Sequence, residues 1–258
     1  MSRKIGYCLL AVLLLVSIIG LFWTPYPPDE MNIILKNAAP DYLHPFGCDH
    51  FGRDIFSRVM AGLSSSIQIS ASVVAIGSVF GSVIGAITGY FGGWLDEIIM
   101  RINDSLTAFP SIFLALIFVA VFGTGKFNII LVLGILFIPS FARIMRSEYV
   151  KQRGFDYVKN ARVMGAGTVS ILFRHMLPNM KAALIPCIVI GFNNAMLAEA
   201  GMSYLGLGVQ PPEASLGRMI SESSGYLVLT PWAAIFPGLV MALVIYAVGL
   251  AGEKGEAP

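Results

Sequence analysis

The chain has 258 residues, of which 56% are hydrophobic and 12% are charged. Because soluble domains carry about 25% charged residues, this composition excludes an ordinary water-soluble domain and requires lipid as the solvent for much of the chain. The net charge of +2 indicates no class of partner. Basic residues are not interleaved with aromatic residues on a soluble segment, which argues against nucleic-acid binding. The three cysteines (Cys8, Cys48 and Cys187) are too scattered for a disulfide framework.

Long stretches without Asp, Glu, Lys or Arg mark the segments that cross the membrane. A hydrocarbon core about 30 Å thick needs roughly 20 apolar residues per helix, and on this basis we predict an all-α integral membrane protein with six transmembrane helices. The predicted spans lie at about 5–23, 66–90, 108–123, 127–142, 182–199 and 231–251. Arg3 and Lys4 precede the first apolar run as in a secretory signal, but its length and the lack of an A-x-A-like site favour an uncleaved anchor.

The spans divide the chain into three parts. Residues 1–65 form an anchor helix and an extracytoplasmic loop, residues 66–251 form the transmembrane core with a cytoplasmic loop at 143–181, and residues 252–258 form a short tail.

Shorter elements are predicted between the spans. A helix at 53–66 leads into span two, and Asp49 or Asp54 caps it. A short amphipathic segment is predicted at 96–104, and a tight turn at 123–126 makes spans three and four a hairpin.

Charge placement sets the orientation of the spans. The segment from Arg143 to Lys181 holds eight basic residues and two acidic ones. Because basic residues are retained on the cytoplasmic side, this loop is predicted to face the cytoplasm. Six spans then place both termini inside, which agrees with Arg3 and Lys4 at the N-terminus.

Span two carries glycines at every fourth position, Gly77, Gly81, Gly85 and Gly89. This spacing puts all four on one helical stripe, and small residues let helices approach closely in lipid. The stripe packs either within the chain or against a second membrane subunit, and the pattern does not separate the two interpretations.

The loop at 143–181 is predicted to hold two helices joined by a glycine turn. Residues 149–164 have helix-forming composition around one weak point, Gly154, and Gly165 stands where a helix would end in a left-handed residue. A second helix starts at Thr168 or Ser170. Its apolar side chains need a cover, which could be a partner protein, the headgroup layer or the chain itself.

The run 157–166, followed by 173–179, resembles the cytoplasmic signature loop of ABC importer permeases. That family's pattern is Glu-Ala-Ala, three residues, Gly, nine residues, Ile, any residue, Leu-Pro. Ala161, Gly165, Leu177 and Pro178 match it, whereas Lys159, Asn160 and His175 replace the usual Glu, Ala and Ile. The His is common in the dipeptide, oligopeptide and nickel branch.

Two further motifs resemble the same branch. One runs from Leu197 to Pro212 after span five, and the other from His44 to Arg58 before span two. The segments 90–94 and 108–110 also fit, so that the resemblance covers about 45–250. The chain departs from the branch at 252–258, where a Gly-Asp-x-Leu-Arg-Asp-type tail is usual.

The resemblance implies a type I importer permease of the MetI-like fold. It implies partners: a second homologous permease, two ATP-binding subunits, an extracytoplasmic binding protein and membrane lipid. ATP and Mg would be bound by the partner subunits, with no cofactor and no ATPase site on this chain. The residues implied in coupling to the ATPase are Tyr157, Lys159, Ala161, Gly165, Ala166, Leu177 and Pro178.

The pathway or gate candidates are Glu199, Ser203, Gly206 and Gly208. Glu199 ends span five, so it is either an interfacial carboxylate or a gate. The cargo implied by the resemblance is a di- or oligopeptide, with a nickel or metal-chelate importer as the alternative.

Other features of the sequence suggest interpretations from different classes. His44, Cys48, Asp49 and His50 are potential metal ligands within seven residues, but a capped loop is the favoured interpretation. The turn 123–126 is similar to a phosphate loop, yet Phe127 follows its Lys where Ser or Thr is needed. No hydrolase motif is present, and a secondary carrier or channel is the alternative from a different class.

Overall fold

The computed structural model describes residues 2–252. Within that range the regular secondary structure is helical, apart from one isolated antiparallel bridge between Cys48 and Asp54, and loops occupy most of 23–54 and 205–215. The α-helices are α1 Ser2–Phe22, α2 Ile55–Phe91, α3 Gly93–Ala108, α4 Ser111–Phe122, α5 Lys126–Gln152, α6 Asp156–Val163, α7 Thr168–Ser170, α8 Lys181–Tyr204, α9 Leu216–Ser223 and α10 Trp232–Gly252. A π-helical turn, Ile171–Met176, and a 3₁₀ turn, Leu177–Met180, join α7 to α8 without a break.

Five helical stretches within residues 2–252 are long and apolar enough to cross a membrane: Arg3–Phe22, Ile55–Phe91, Lys126–Gln152, Thr168–Tyr204 and Trp232–Gly252. The pair α3 and α4, which meet at a bend of 92°, also passes this test when taken together, so the described residues hold five crossings, or six if the bent pair counts as one span. Alone, the 12 residues of α4 cover about 18 Å, which is shorter than the span predicted at 108–123. The bend follows from Pro110, since the residue before a proline is driven into extended conformation; Phe109 has φ −87° and ψ 142°.

Several further predicted boundaries differ from the structure. Span four, predicted at 127–142, continues to Gln152 as α5. The lead-in helix at 53–66 and span two are one helix, α2, whose N-cap is Asp54; its carboxylate accepts from the Ser57 backbone N–H at 2.7 Å. The predicted helix at 149–164 is interrupted, because α5 ends at Gln152 and α6 begins at Asp156. The interruption contains Gly154, the residue of lowest helix propensity in that stretch.

The glycine stripe of α2 packs against α5. A Cβ placed at Gly81 would lie 2.5 Å from the Cβ of Phe141, and one at Gly85 would lie 2.7 Å from the Cβ of Met145. Gly77 and Gly89 are similarly close to Phe137 and Tyr149 of α5. The structure therefore favours packing within the chain over packing against a second subunit for this stripe.

A network of ion pairs ties the segment after α1 to the start of α2 and the end of α9. Arg53 donates to Asp49 at 2.6 Å and to Glu222 at 2.7 Å, and Arg58 donates to Asp29 at 2.9 Å. Burial by itself raises the pKa of Glu222, but hydrogen bonds from Arg218 and Arg53 outweigh it and the net pKa is lowered. This network fixes α9 over the ends of α2 and α8.

We expect Gly81→Val to destabilise the protein strongly, because the added side chain would have to force α2 and α5 apart. Overpacking of this kind costs about 1–3 kcal/mol or more. The measurement is the thermal unfolding midpoint of the purified protein. Gly238→Val is the matched control, since no atom lies within 4 Å of a Cβ at Gly238. Equal midpoints for the two variants would contradict the packing assigned to the stripe.

Candidate functional site

The turn after α6 has the backbone conformation that the sequence predicts. Gly165 has φ +84°, and its N–H donates to the Arg162 carbonyl at 3.0 Å. The next N–H, of Ala166, donates to the Ala161 carbonyl at 3.0 Å. This pair of bonds ends α6 with a left-handed residue, which glycine adopts without strain.

One face of α6 is buried against the helices on either side of it. Val158 and Ala161 pack into an apolar cluster with Met145 and Tyr149 of α5 and with Met176 of the segment that leads into α8. Hydrogen bonds fix the same contact. The Tyr149 hydroxyl donates to the Leu172 carbonyl at 3.2 Å, and the Tyr157 hydroxyl donates to Gln152 at 2.6 Å. As a result, α6 is held by both α5 and the start of α8.

The opposite face of this segment exposes apolar side chains. Val163 and Met164 are each 87% exposed, and Val169 is 71% exposed. We call these three residues the apolar knob. The sequence motif did not single them out, although two adjacent apolar residues directly before a helix-ending glycine are a usable signal. Large exposed apolar patches on a protein mark interaction surfaces.

The residues that the motif implied in coupling differ in how deeply they are buried. Ala161 is buried in the contact with α5, whereas Tyr157, Ala166 and Leu177 are half-buried around it. Lys159, Gly165 and Pro178 are exposed. Lys159, which replaces the usual Glu, pairs with Asp156 at 2.9 Å on the surface.

Glu199 lies in the interior, so the interpretation of an interfacial carboxylate is wrong. The side chain is fully buried and accepts hydrogen bonds from Ser66 at 3.0 Å and from Ser203 at 2.7 Å. Ser66 also accepts from the Leu216 backbone N–H at 3.1 Å. The carboxylate therefore links α2, α8 and α9. It is buried because α9 folds over the ends of the other two helices.

The two glycines after α8 shape this buried site. A Cβ at Gly208 would lie 2.1 Å from the Ser203 hydroxyl oxygen, so only glycine allows the chain to pass this close. Gly206 has φ +78° and turns the chain back toward Ser203. The Val209 N–H then donates to Ser203 at 3.3 Å. The four predicted gate candidates are thus brought together.

Lys126 is a member of this region that the sequence analysis did not identify as a site residue. Its ammonium group donates to Ser65 at 3.2 Å and to Gln68 at 2.9 Å. Ser65 is the neighbour in sequence of Ser66, which bonds Glu199. A cation from α5 and a carboxylate from α8 therefore attach to the same turn of α2. The sequence feature that could have identified Lys126 is its position as a single lysine at the start of a long apolar helix, because ionisable residues in membrane-spanning segments are often functional.

A cleft of about 450 Å³ lies between α4, α5 and α8. We call it the central cleft. Its polar lining consists of Ser111, Ser140, Cys187 and Asn194, and the rest is apolar. Within residues 2–252, no Asp, Glu, Lys, Arg or His side chain lines it. Polar side chains that are exposed on membrane-spanning helices face water-filled cavities or partner subunits.

The four potential metal ligands do not come together. Asp49 bonds Arg53, and the ring of His50 stacks on Tyr226 at 4.2 Å between centroids. His44 and Cys48 lie near Asp54 instead, with ligand atoms within 4.8 Å of one another. Burial and the carboxylates of Asp54, Asp49 and Asp41 raise the pKa of the Cys48 thiol to about 11.

A protonated thiol is a poor metal ligand, and Asp54 already serves as the cap of α2. His44 bonds that carboxylate at 2.8 Å, which fits the capped loop that the sequence favoured.

Comparison with known proteins decides the family. The family described as binding-protein-dependent transport system inner membrane component matches residues 81–252. The chain belongs to this family. It is similar to the glutathione transport system permease protein GsiD of Pectobacterium atrosepticum, with 39% identity over 95% of this chain and 82% of that protein. It is also similar to GsiD of Escherichia coli O6:K15:H31, with 38% identity over 94% of this chain and 80% of that protein.

The fold comparison agrees. A chain of the MetNI methionine ABC transporter in an inward-facing conformation superposes with a TM-score of 0.62, at 18% identity, over 76% of this chain and 93% of that chain. The protein is therefore a multi-pass permease subunit of an ABC importer with the type I, MetI-like fold. Permeases of this family act in a membrane complex with an ATPase and a substrate-binding protein and are not themselves ATPases.

We expect Glu199→Leu to destabilise the assembled importer, because Ser66 and Ser203 would lose a buried hydrogen-bond acceptor. Leaving buried polar groups without a partner costs about 1–3 kcal/mol. Glu199→Gln keeps an acceptor and should lose less. The unfolding midpoint of the purified complex measures both effects. Glu97→Gln is the control, since Glu97 is exposed and only its pairing with Arg101 is affected. If Glu199→Leu behaves like this control, the buried carboxylate does not join the three helices.

Proposed function

We propose that this permease imports peptide-like cargo and that the apolar knob receives the motion of a partner ATPase. The proposal depends on how α6 packs against its neighbouring helices. Its buried face packs on the end of α5 and on the start of α8, while Val163 and Met164 remain exposed. A separate protein that holds the exposed side can therefore move two membrane-spanning helices together.

The helices attached to α6 are long enough to carry motion across the membrane. α5 runs without interruption for 27 residues, which corresponds to about 40 Å. Its far end carries Lys126, and α8 carries Glu199 near its own far end. Displacement of the knob therefore reaches the turn of α2 where both charged groups are bonded. Packed helices of this kind move as rigid bodies between two discrete arrangements.

The orientation and the partners are part of the same proposal. The basic segment 143–181 and the N-terminal Arg3 and Lys4 support a cytoplasmic position for the knob and for both termini. In that orientation the apolar knob lies on the cytoplasmic side, where two ATP-binding subunits supply ATP and Mg. Glu199 then lies on the opposite side of the membrane, where the binding protein docks. A second homologous permease completes the pathway around the central cleft.

The central cleft supports a peptide-like cargo. Ser111, Ser140 and Asn194 offer uncharged donors and acceptors beside apolar walls, which suits the amide groups of a short peptide. A metal ion would need carboxylate, imidazole or thiolate ligands, and of these only Cys187 lines the cleft among the described residues. The relatives named as glutathione permeases transport, by that name, a peptide, and this supports the same class of cargo.

The coupling proposal is tested with Gly165→Val. A β-branched residue strongly disfavours φ +84°, so the end of α6 would be displaced and the knob with it. We expect the assembled importer to keep ATP hydrolysis but to lose at least about tenfold in ATP-driven uptake. Gly167→Val is the matched control, because Gly167 has φ −66° and no atom lies within 4 Å of a Cβ there.

Uptake by Gly165→Val equal to that of the control would exclude the knob as the coupling element. Uptake that continues in vesicles without ATP would show instead a carrier or channel.

The cargo proposal is tested with Asn194→Leu in vesicles that contain the complete importer. Loss of one or two hydrogen bonds to an amide costs about 1 kcal/mol each, so the uptake of labelled glutathione or a dipeptide should fall about fivefold or more. Leu239→Ala, an exposed position on α10 outside the cleft, is the control. ATP-driven uptake of ⁶³Ni²⁺ in place of either peptide would overturn the cargo class and favour the metal alternative.

A further inference from the structure

A second large cleft lies between α1, α8 and α10. Its volume is about 590 Å³, and we call it the basic cleft. The polar part of its lining is formed by Arg3, Tyr7 and Lys181, and its apolar part includes Leu10, Ile185 and Val189. Neither the apolar knob nor the Glu199 site contributes to this lining.

The polar and apolar parts of the lining are separated by depth. Arg3 lies at the start of α1, and Lys181 is the first residue of α8. Leu10 follows Arg3 by seven residues and Val189 follows Lys181 by eight, which places each about 10–12 Å farther along its helix. Two helices thus show the same gradient, with a cation at the membrane surface and an apolar wall at the depth of acyl chains.

Among the residues that the structure describes, the two cations have no acidic partner. Within residues 2–252, neither Arg3 nor Lys181 forms an ion pair, and Arg3 donates only to the Tyr7 hydroxyl, at 3.1 Å. On the same side of the membrane, Arg146 of α5 pairs with Asp96 and Lys159 of α6 pairs with Asp156. Among residues 2–252, no acidic side chain neutralises the two cations of the basic cleft, so an anionic ligand would find their charge available.

A backbone acceptor adds to the polar end. Pro186 lies inside α8 and has no N–H, so the carbonyl group of Ala182 loses its usual helical donor. Ala182 itself lines the cleft. A ligand that carries both a negative charge and hydroxyl donors would satisfy the two cations and this carbonyl group together.

We propose that the basic cleft binds one anionic glycerophospholipid, with its phosphate on Arg3 and Lys181 and an acyl chain along Ile185 and Val189. Basic pockets between transmembrane helices are a recurring form of headgroup site. The assignment of this lipid to the cytoplasmic leaflet rests on the proposed orientation, whereas the binding itself does not. The lipid would bridge α1 and α10 to the start of α8, directly after the segment on which α6 packs.

The test is the lipid content of the complete, purified importer after exchange in nanodiscs that contain equal parts of phosphatidylglycerol and phosphatidylcholine. Native mass spectrometry counts the lipids that remain after detergent washing. We expect one tightly held phosphatidylglycerol per copy of this chain, and at least about fivefold less in the Arg3→Gln/Lys181→Gln double variant. Arg101→Gln/Lys151→Gln removes the same charge from exposed positions and should retain the lipid.

Two additional variants separate the contributions to binding. Val189→Trp fills the apolar wall without changing charge and should also release the lipid. A chain that ends at Gly252 removes the acidic residues Glu253 and Glu256, and it should retain the lipid at least as well as the full chain. Inorganic phosphate at millimolar concentration should not displace the lipid, since phosphate makes no contact with the apolar wall.

The proposal is overturned if the double variant keeps phosphatidylglycerol at the level of the full chain, or if the exposed-charge control loses it equally. Displacement by phosphate alone would show a simple anion site. Unchanged ATP hydrolysis in the double variant shows that it assembles, so that a loss of lipid is separate from a loss of fold.

Discussion

The close contact between α2 and α5 is the constraint on which the rest of the molecule depends. In lipid there is little hydrophobic drive for helices to associate, so van der Waals contact has to supply it. The stripe from Gly77 to Gly89 lets the backbone of α2 lie against the side chains of Phe141 and Met145 without a gap. The pair extends from the turn at Lys126 to the end of α5, and α6, α8 and α9 are placed relative to it.

That contact also connects a surface helix to the membrane-spanning helices. α6 is short, and such a helix is marginal by itself. It is ordered here because Val158 and Ala161 are buried with Met145 and Tyr149 of α5. The same packing leaves Val163 and Met164 in the open. One small element therefore presents apolar surface to a partner while it is held by the two helices that reach Lys126 and Glu199.

Polar groups are distributed in the membrane-spanning region according to what can satisfy them. Glu199 is enclosed with the hydroxyls of Ser66 and Ser203, because a bare carboxylate in hydrocarbon is costly. Asn194 is exposed on the outside of the fold, in the central cleft. Arg3 lies at the membrane surface in the basic cleft. Internal hydroxyls fill the first environment, whereas the second and third are where we propose that cargo and a lipid headgroup bind.

The sequence by itself determined the membrane class and the glycine turn at Gly165, because these depend on local composition, on length and on the left-handed conformation that glycine favours. It also singled out the loop 143–181 through its motif. Only the tertiary structure decided that the glycine stripe faces α5, that Glu199 is buried and that Asp54 rather than His50 lies beside His44 and Cys48. These outcomes depend on which helix lies next to which, and a pattern along one helix shows a face without showing what covers it.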